Sequence, residues 1–160
     1  MRTAARIAPA PRRMAPRPVP IRRSVRADPR WPHIVAALQA LRDAHRHAVR
    51  IVDADCACGT LLIEVARHAR AMGFTAIEGR GIDGSPALIG RARAAAARLH
   101  DPAIGLSFDM ADMHTALAQE AEAPADLLLW PDAPPADATG MAAVLAAAAT
   151  LVIADTERRA

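Results

Sequence analysis

The chain contains no lysine and no tyrosine, and aromatic residues make up only 2% of it. Without lysine it cannot carry the phosphate-binding motif G-x-x-x-x-G-K-[ST]. Without tyrosine it cannot be an oxidoreductase that depends on a catalytic tyrosine. No G-x-S-x-G segment is present, which excludes the usual serine-hydrolase nucleophile turn. A 52% share of hydrophobic residues is nevertheless enough for a core built from Ala, Leu, Ile and Val.

Cysteine is also scarce, and its two copies are separated by a single residue. A disulfide between Cys56 and Cys58 would be strained. Two cysteines are also too few for the disulfide framework of a small extracellular protein. Combined with His68 they lack the usual spacing of metal ligands, so we expect no metal. No apolar run is long enough to span a bilayer, and the N-terminus lacks the apolar region of a secretory signal. The sequence therefore predicts a cytoplasmic protein that does not enter membranes.

Charge is divided unevenly along the chain. Residues 1–30 hold nine arginines against one acid, a net charge of +8, whereas residues 31–160 hold eleven against sixteen, a net charge of −5. The first segment is rich in Pro and Arg without apolar periodicity, which predicts a disordered tail. We expect this tail to be solvated rather than a nucleic-acid or membrane tether. Residues 31–160 are predicted to form one domain.

Helical and strand patterns alternate through that domain. Helices are predicted over 33–46, 60–72, 87–99, 113–122 and 140–149, and strands over 49–54, 76–83, 104–108, 126–130 and 151–154, with a Pro-rich loop over 132–137. Short continuous apolar strands indicate parallel neighbours that are covered on both faces. The predicted fold is a Rossmann-like α/β/α sandwich whose sheet has about five mainly parallel strands.

Ligands of such sheets bind beyond the carboxyl ends of the strands, and three of those turns carry carboxylates. The first strand reaches Asp53 and then a small-residue turn that ends at Gly59, where a helix begins and its dipole attracts a ligand. Asp83 ends the second strand 24 residues after Gly59. This is near the separation of about 20 residues expected of an acid that binds ribose hydroxyls. Asp112 follows the third strand. Asp83 and Asp112 could instead only cap the helices that follow them.

These turns resemble the cofactor-binding motifs of class I S-adenosylmethionine (SAM)-dependent methyltransferases. In that family an acid at the first strand end precedes a glycine-x-glycine-x-glycine loop, and Asp53 and Gly59 match the acid and the last glycine. The string GIDGSPALIGRAR resembles the second motif. The resemblance implies SAM as cofactor and transfer of its methyl group to an acceptor that the sequence does not identify. The cofactor-binding residues implied are Asp53, Asp55, Cys56, Ala57, Gly59, Asp83, Gly84, Ser85, Asp112, Met113 and Trp130.

Two departures from the family pattern lie in the first loop. Asp55 and Ala57 occupy the first two glycine positions, and a Cβ penalises positive φ, although Asp tolerates it better than most residues. Asp55 could bind the ammonium group of the cofactor or disfavour its carboxylate. Trp130 could cover the pocket or anchor the core. Methyl transfer needs positioning more than a general base, so no catalytic residue is predicted.

The resemblance spans about residues 48–154 and ends after the fifth strand, whereas the sheet of the family typically has seven strands. A non-catalytic or vestigial Rossmann-like binding module is therefore the alternative function. An NAD(P)-dependent oxidoreductase ranks third, because the first turn lacks G-x-G-x-x-G. A shortened sheet leaves an exposed edge, which predicts pairing into a homodimer.

Overall fold

The computed structural model describes residues 24–132 and 140–155. A short 3₁₀ turn over Val25–Ala27 precedes the alternating elements. The helices are α1 Trp31–Asp43, α2 Thr60–Ala71, α3 Pro86–Ala96, α4 Met113–Glu120 and α5 Met141–Ala148, and the strands are β1 Ala48–Ala54, β2 Ala76–Asp83, β3 Ile104–Met110, β4 Ala125–Trp130 and β5 Ala149–Ala154. Every predicted helix and strand is present, with its ends displaced by at most three residues.

The five strands form one sheet in the order β3-β2-β1-β4-β5, and every neighbouring pair is parallel. The predicted Rossmann-like α/β fold is thus confirmed. Chain order reverses beside β1, whose neighbours are β2 on one side and β4 on the other. Asp53 lies opposite both Gly81 and Leu129 at this switch point. A ligand site is expected above it, at the carboxyl ends of the strands.

One face of the sheet is covered by α1, α2 and α3 and buries the larger apolar cluster. Ile34, Leu38, Leu62 and Phe74 are fully buried there and pack in one cluster with Ile51. Each such side chain contributes about 1.5–3 kcal/mol of transfer free energy. This layer holds α2 rigidly, and with it the turn from which α2 begins.

The other face is covered by α4 and α5 and combines an apolar cluster with charged side chains. The strands near α4 and α5 do bury a cluster that includes Val52, Leu117, Leu128 and Leu145. Over β1, β2 and β3, however, the face carries a network of ion pairs. Its members are Arg50, Glu78, Arg80, Asp109 and Glu120. Each guanidinium of the network contacts two carboxylates, so the charges offset one another.

Residues 24–30 also differ from the sequence-based expectation of a disordered tail. Val25 packs against the core, and the Arg26 guanidinium lies 5.7 Å from the ring centroid of Trp31. Arg30 is only 9% exposed and donates a hydrogen bond to the backbone oxygen of Trp130 at 3.3 Å. These contacts fix the segment to the domain. The tail over 1–23, most of the Pro-rich loop and the last five residues lie outside the described part of the chain.

No helix in the described ranges is both long and apolar enough to cross a bilayer.

Candidate functional site

The turn after β1 has an unusual backbone. Residues Asp55, Ala57 and Gly59 all have positive φ, at 61°, 49° and 72°, whereas Cys56 and Cys58 between them do not. Left-handed conformations cost a residue with a Cβ about 1–2 kcal/mol. Alternation of this kind is typical of concave "nests" in which backbone N–H groups point at a ligand. The turn therefore keeps a ligand-binding shape that its own side chains disfavour.

Asp83 holds this turn against the end of β2. Its two carboxylate oxygens accept hydrogen bonds from the backbone N–H of Ala57 at 3.0 Å and of Ser85 at 2.7 Å. The N–H of Cys56 donates to the oxygen of Ile82 at 2.9 Å. Asp83 is buried, but each oxygen keeps a second lone pair for another donor.

The cap of α3 is Ser85 rather than Asp83. The Ser85 hydroxyl accepts a hydrogen bond from the Leu88 N–H at 3.5 Å, and Pro86 occupies the first helical position. Asp83 instead joins the turns after β1 and β2. The neighbouring Gly84 is exposed, with open space where a side chain would be.

The ring of Phe108 packs against Gly59 in the turn after β1 and against Gly81 near the end of β2. A Cβ on Gly59 would lie 2.6 Å from a Phe108 ring carbon, and one on Gly81 would lie 2.5 Å from the ring and 2.8 Å from the Cys56 sulfur. Such distances are too short for any side chain. Both glycines are thus needed for the close approach of β1, β2 and β3.

The two cysteines of the turn have different environments. Burial, together with the nearby charges of Asp53 and Asp83, raises the pKa of the Cys56 thiol to about 12. Cys58 is half-buried, and its sulfur lies 3.1 Å from the Thr60 hydroxyl oxygen. Both thiols are free. Cys56 therefore acts as a packing group, whereas Cys58 is accessible from solvent.

A buried group of charges joins the ends of β1, β4 and β5, and we call it the Arg30 cluster: Asp28, Arg30, Asp53 and Asp155. Arg30 donates to Asp28 through Nε at 3.0 Å and Nη2 at 2.9 Å. Its charge also acts on Asp53 and Asp155. Burial raises the pKa of Asp53 to about 7, although the charge of Arg30 opposes that rise. Three carboxylates thus surround one guanidinium at the switch point.

Sequence reasoning missed three members of this cluster. Asp28 and Arg30 were assigned to the disordered tail, because residues 1–30 are rich in Pro and Arg without apolar periodicity. Asp155 directly follows β5, much as Asp53 lies one residue before the end of β1 and Asp83 ends β2. The rule that singled out carboxylates at strand ends would have found Asp155 as well.

The turn after β3 lies beside the other two, since the N–H of Ala111 donates to the backbone oxygen of Asp83 at 3.4 Å. Asp112 is exposed and caps α4, accepting from the N–H and the hydroxyl of Thr115 at 2.9 and 2.8 Å. These hydrogen bonds hold the pKa of Asp112 below its usual value. Met113 packs against the apolar cluster of the second face. A role of Asp112 in binding adenine stays a prediction.

Trp130 ends β4 and is 9% exposed. Its ring packs in the apolar cluster with Val52, Ile82 and Leu117, as expected of a core anchor. Its indole Nε1 is buried without a hydrogen-bond partner in the described ranges. A buried donor without a partner costs about 1–3 kcal/mol, so a ligand oxygen or nitrogen at this strand end would stabilise it.

The three turns together can hold a ligand that combines a negative group with ammonium and hydroxyl groups. Backbone N–H groups and the α2 N-terminus favour negative charge, whereas Asp83 and the Arg30 cluster favour hydroxyl or ammonium donors. In the described residues, no three His, Cys, Asp or Glu side chains are grouped as metal ligands.

No protein-family model matches this sequence, and no curated protein sequence is similar to it. Solved structures do resemble it. The methyltransferase BamL, solved with a plantazolicin analogue and S-adenosylhomocysteine (SAH), gives a TM-score of 0.53 at 16% identity, over 78% of this chain and 44% of BamL. Magnesium protoporphyrin IX methyltransferase from Synechocystis PCC 6803, with bound SAH, gives 0.50 at 20% identity, over 79% and 54% of the two chains. The bifunctional kinase-methyltransferase WbdD gives 0.50 at 22% identity, over 68% and 22%.

The chain has the Rossmann-like fold of these methyltransferases. The resemblance found in the sequence motifs is thereby confirmed at the level of the fold. The chain spans about a fifth to about half of the length of these neighbours.

Proposed function

We propose that the domain binds SAM at the turns after β1, β2 and β3 and transfers its methyl group to an acceptor. The observation that carries the proposal is the left-handed backbone of Asp55 and Ala57. The sequence does not favour this conformation at either residue. A strained backbone is retained where surrounding structure holds it, and such strain is concentrated at ligand sites.

The residues of the site fit this cofactor in charge and chemistry. The turn after β1 and the N-terminus of α2 offer N–H groups to the carboxylate of the methionine part. The free lone pairs of Asp83 can accept from ribose hydroxyls. The Arg30 cluster, with its excess of carboxylates, favours the ammonium and sulfonium charges. SAM, when bound, supplies an electrophilic methyl group, and the protein orients it and excludes water.

A binding module without catalysis is the second candidate function. It is favoured by Asp55, whose exposed carboxylate stands where the family has its first glycine. A negative side chain at that point repels the ligand carboxylate. If SAM binds only after Asp55→Gly and Ala57→Gly are introduced together, the natural site is vestigial and this second function is correct.

Calorimetric titration of the full chain with SAM and with SAH tests the proposal. We expect saturable binding with a Kd below about 1 mM. Melting curves with NADH serve as the control and should not shift. If NADH stabilises the protein and SAM does not, the site belongs to an oxidoreductase and the proposal is wrong.

Alkylation of the cysteines locates the bound ligand. Iodoacetamide at pH 8 should modify Cys58 at least about tenfold faster than Cys56, because only the thiolate reacts and the Cys56 thiol stays protonated. Saturating SAH should slow the reaction at Cys58, measured by mass spectrometry of the peptides. Binding without any change at Cys58 would place the ligand elsewhere on the protein.

Three further expectations from the sequence remain proposals: a cytoplasmic location, no interaction with nucleic acid, and pairing into a homodimer through a sheet edge.

A further inference from the structure

The segment over residues 24–30 connects α2 with the end of β4. The Arg26 Nη2 atom lies 3.2 Å from Oε1 of Glu64 on α2, the helix that begins at the turn after β1. Near the other end of the segment, Arg30 donates through Nη1 to the backbone oxygen of Trp130. The segment therefore holds Arg30 at the carboxyl ends of the strands.

Hydrogen bonds fix the guanidinium of Arg30 in one position. Its Nε and Nη2 atoms donate to the two carboxylate oxygens of Asp28, at 3.0 and 2.9 Å. The backbone N–H of Arg30 donates to the same carboxylate at 2.9 Å. Such a bidentate pair is stronger and more specific in geometry than a single hydrogen bond. Because Arg30 is also buried, solvent screens its fixed charge only weakly.

Asp53 is the buried carboxylate on which this charge acts. It lies one residue before the end of β1 and is only 2% exposed. In the described ranges no hydrogen bond stabilises its charged form, and Arg30 is the positive group that acts on it. Asp28 and Asp55 are negative and disfavour its ionisation. The charge state of Asp53 therefore depends on Arg30.

Two further titratable groups lie around this pair. The Cys56 thiol, in the turn after β1, lies close enough for the charge of Asp53 to act on it. Burial raises the pKa of that thiol to about 12, so it stays neutral near pH 7. Asp155, which follows β5, acts on Arg30 and offsets part of its charge. Of the groups that surround Asp53 in the described residues, Arg30 alone favours its ionised form.

We propose that Arg30 is a positioning residue of the SAM site, whose fixed charge keeps Asp53 available as a carboxylate for the ammonium group of SAM. This inference rests on the proposed function, because it concerns the same site. Asp53 directly precedes the turn that takes the methionine part in that proposal. An ionised Asp53 attracts the ammonium group, whereas a protonated one does not.

The proposal predicts how affinity depends on pH. Burial raises the pKa of Asp53 to about 7, against the opposing charge of Arg30. Affinity for the ammonium group should therefore increase as the pH rises through that value. Loss of an adjacent positive charge raises the pKa of a carboxyl group by about 1–3. Without Arg30, the increase in affinity should be displaced to higher pH.

Calorimetric titration of the full chain between pH 5 and 8 tests the proposal. SAH carries the ammonium group, and 5′-methylthioadenosine, which lacks the amino-acid part, is the control ligand. Arg30→Gln should weaken SAH binding at least about tenfold at pH 7.5, but less than about threefold at pH 5, where Asp53 is protonated in both proteins. Binding of 5′-methylthioadenosine should not change. The amino group of SAH titrates identically in both experiments, so the ratio of the two Kd values reports on the protein.

Two further variants separate charge from structure. Arg30→Lys keeps the positive charge and should retain the pH dependence of the wild type. Arg26→Gln is the matched control, because it removes an exposed arginine from the same segment. It should bind SAH as the wild type does at every pH.

The outcomes distinguish this proposal from the proposed function. A wild-type chain that does not bind SAH overturns both. If the wild type binds SAH, but Arg30→Gln weakens SAH equally at every pH or weakens both ligands alike, only the role of Arg30 is wrong. If Arg30→Gln does not fold, Asp28→Asn takes its place. It removes a negative charge that acts on Asp53 and should displace the pH dependence of SAH binding to lower pH. An undisplaced pH dependence would overturn the proposal.

Discussion

The side chain of Asp53 is buried, whereas that of the free amino acid is surrounded by water. Burial raises its pKa from 3.8 to about 7. The folded chain therefore holds this proton more tightly than the unfolded chain. Protonation favours folding fully below about pH 4, and that contribution is lost as the pH rises towards 7.

Replacing Asp53 with Asn removes this dependence. We expect Asp53→Asn to melt at least about 4 °C above the wild type at pH 8, with the difference shrinking as the pH falls to 4. Calorimetric melting at several pH values measures it. Asp101→Asn is the control of opposite sign, because hydrogen bonds from Ala103 and Arg70 lower the pKa of Asp101. Its stabilising contribution is lost as the pH falls. A variant of Asp53 that is less stable at pH 8 would show that its charge, paired with Arg30, is needed for folding.

At the scale of the element, the turn after β1 adopts a backbone conformation that its own side chains disfavour. Its backbone needs positive φ at Ala57, where alanine is disfavoured, and Asp83 fixes that conformation through the Ala57 N–H. The strain is offset by the hydrogen bonds to β2 and by the packing of Cys56. The shape of the turn is thus imposed by its surroundings.

We expect Ala57→Gly to stabilise the protein by up to about 1 kcal/mol, since relief of strain exceeds the added chain entropy of glycine. Urea unfolding measures the change. Ala97→Gly is the control, because Ala97 has a φ of −60° and gains nothing from glycine. It should lose about 0.5–1 kcal/mol. Equal losses in both variants would mean that Ala57 is not strained.

The elements themselves could be predicted from sequence because each has a local signal. Ser85 and Pro86 mark the start of α3, and continuous apolar runs mark the strands. The positive φ of Asp55 and Ala57 could be inferred only through a family resemblance, because nothing local favours it. The position of Arg30 depends on contacts with Trp130, a hundred residues away, which no local pattern contains.

At the scale of the whole molecule, the ion-pair network joins helix α4 to the strands of the second face. Glu120 is its centre, with a fully buried side chain between Arg50 at 2.6 Å and Arg80. It links α4 to β1 and β2.

We expect Glu120→Ala to destabilise the protein by about 3–5 kcal/mol, because two arginines lose their shared carboxylate. Glu122→Ala is the matched control, an exposed acid just beyond the same helix, and should change stability by no more than about 0.5 kcal/mol. Chemical denaturation compares the two. Similar small effects in both variants would mean that solvent screens the network.

The central place of β1 also determines the order in which the molecule can assemble. During synthesis β1, β2 and β3 leave the ribosome first and can pair, since their partners are close in sequence. The edge of β1 that pairs with β4 stays unpaired until β4 has been translated. Folding is thus expected in two stages. Until the second stage, the unpaired edge of β1 is prone to aggregation, and a chaperone would protect it.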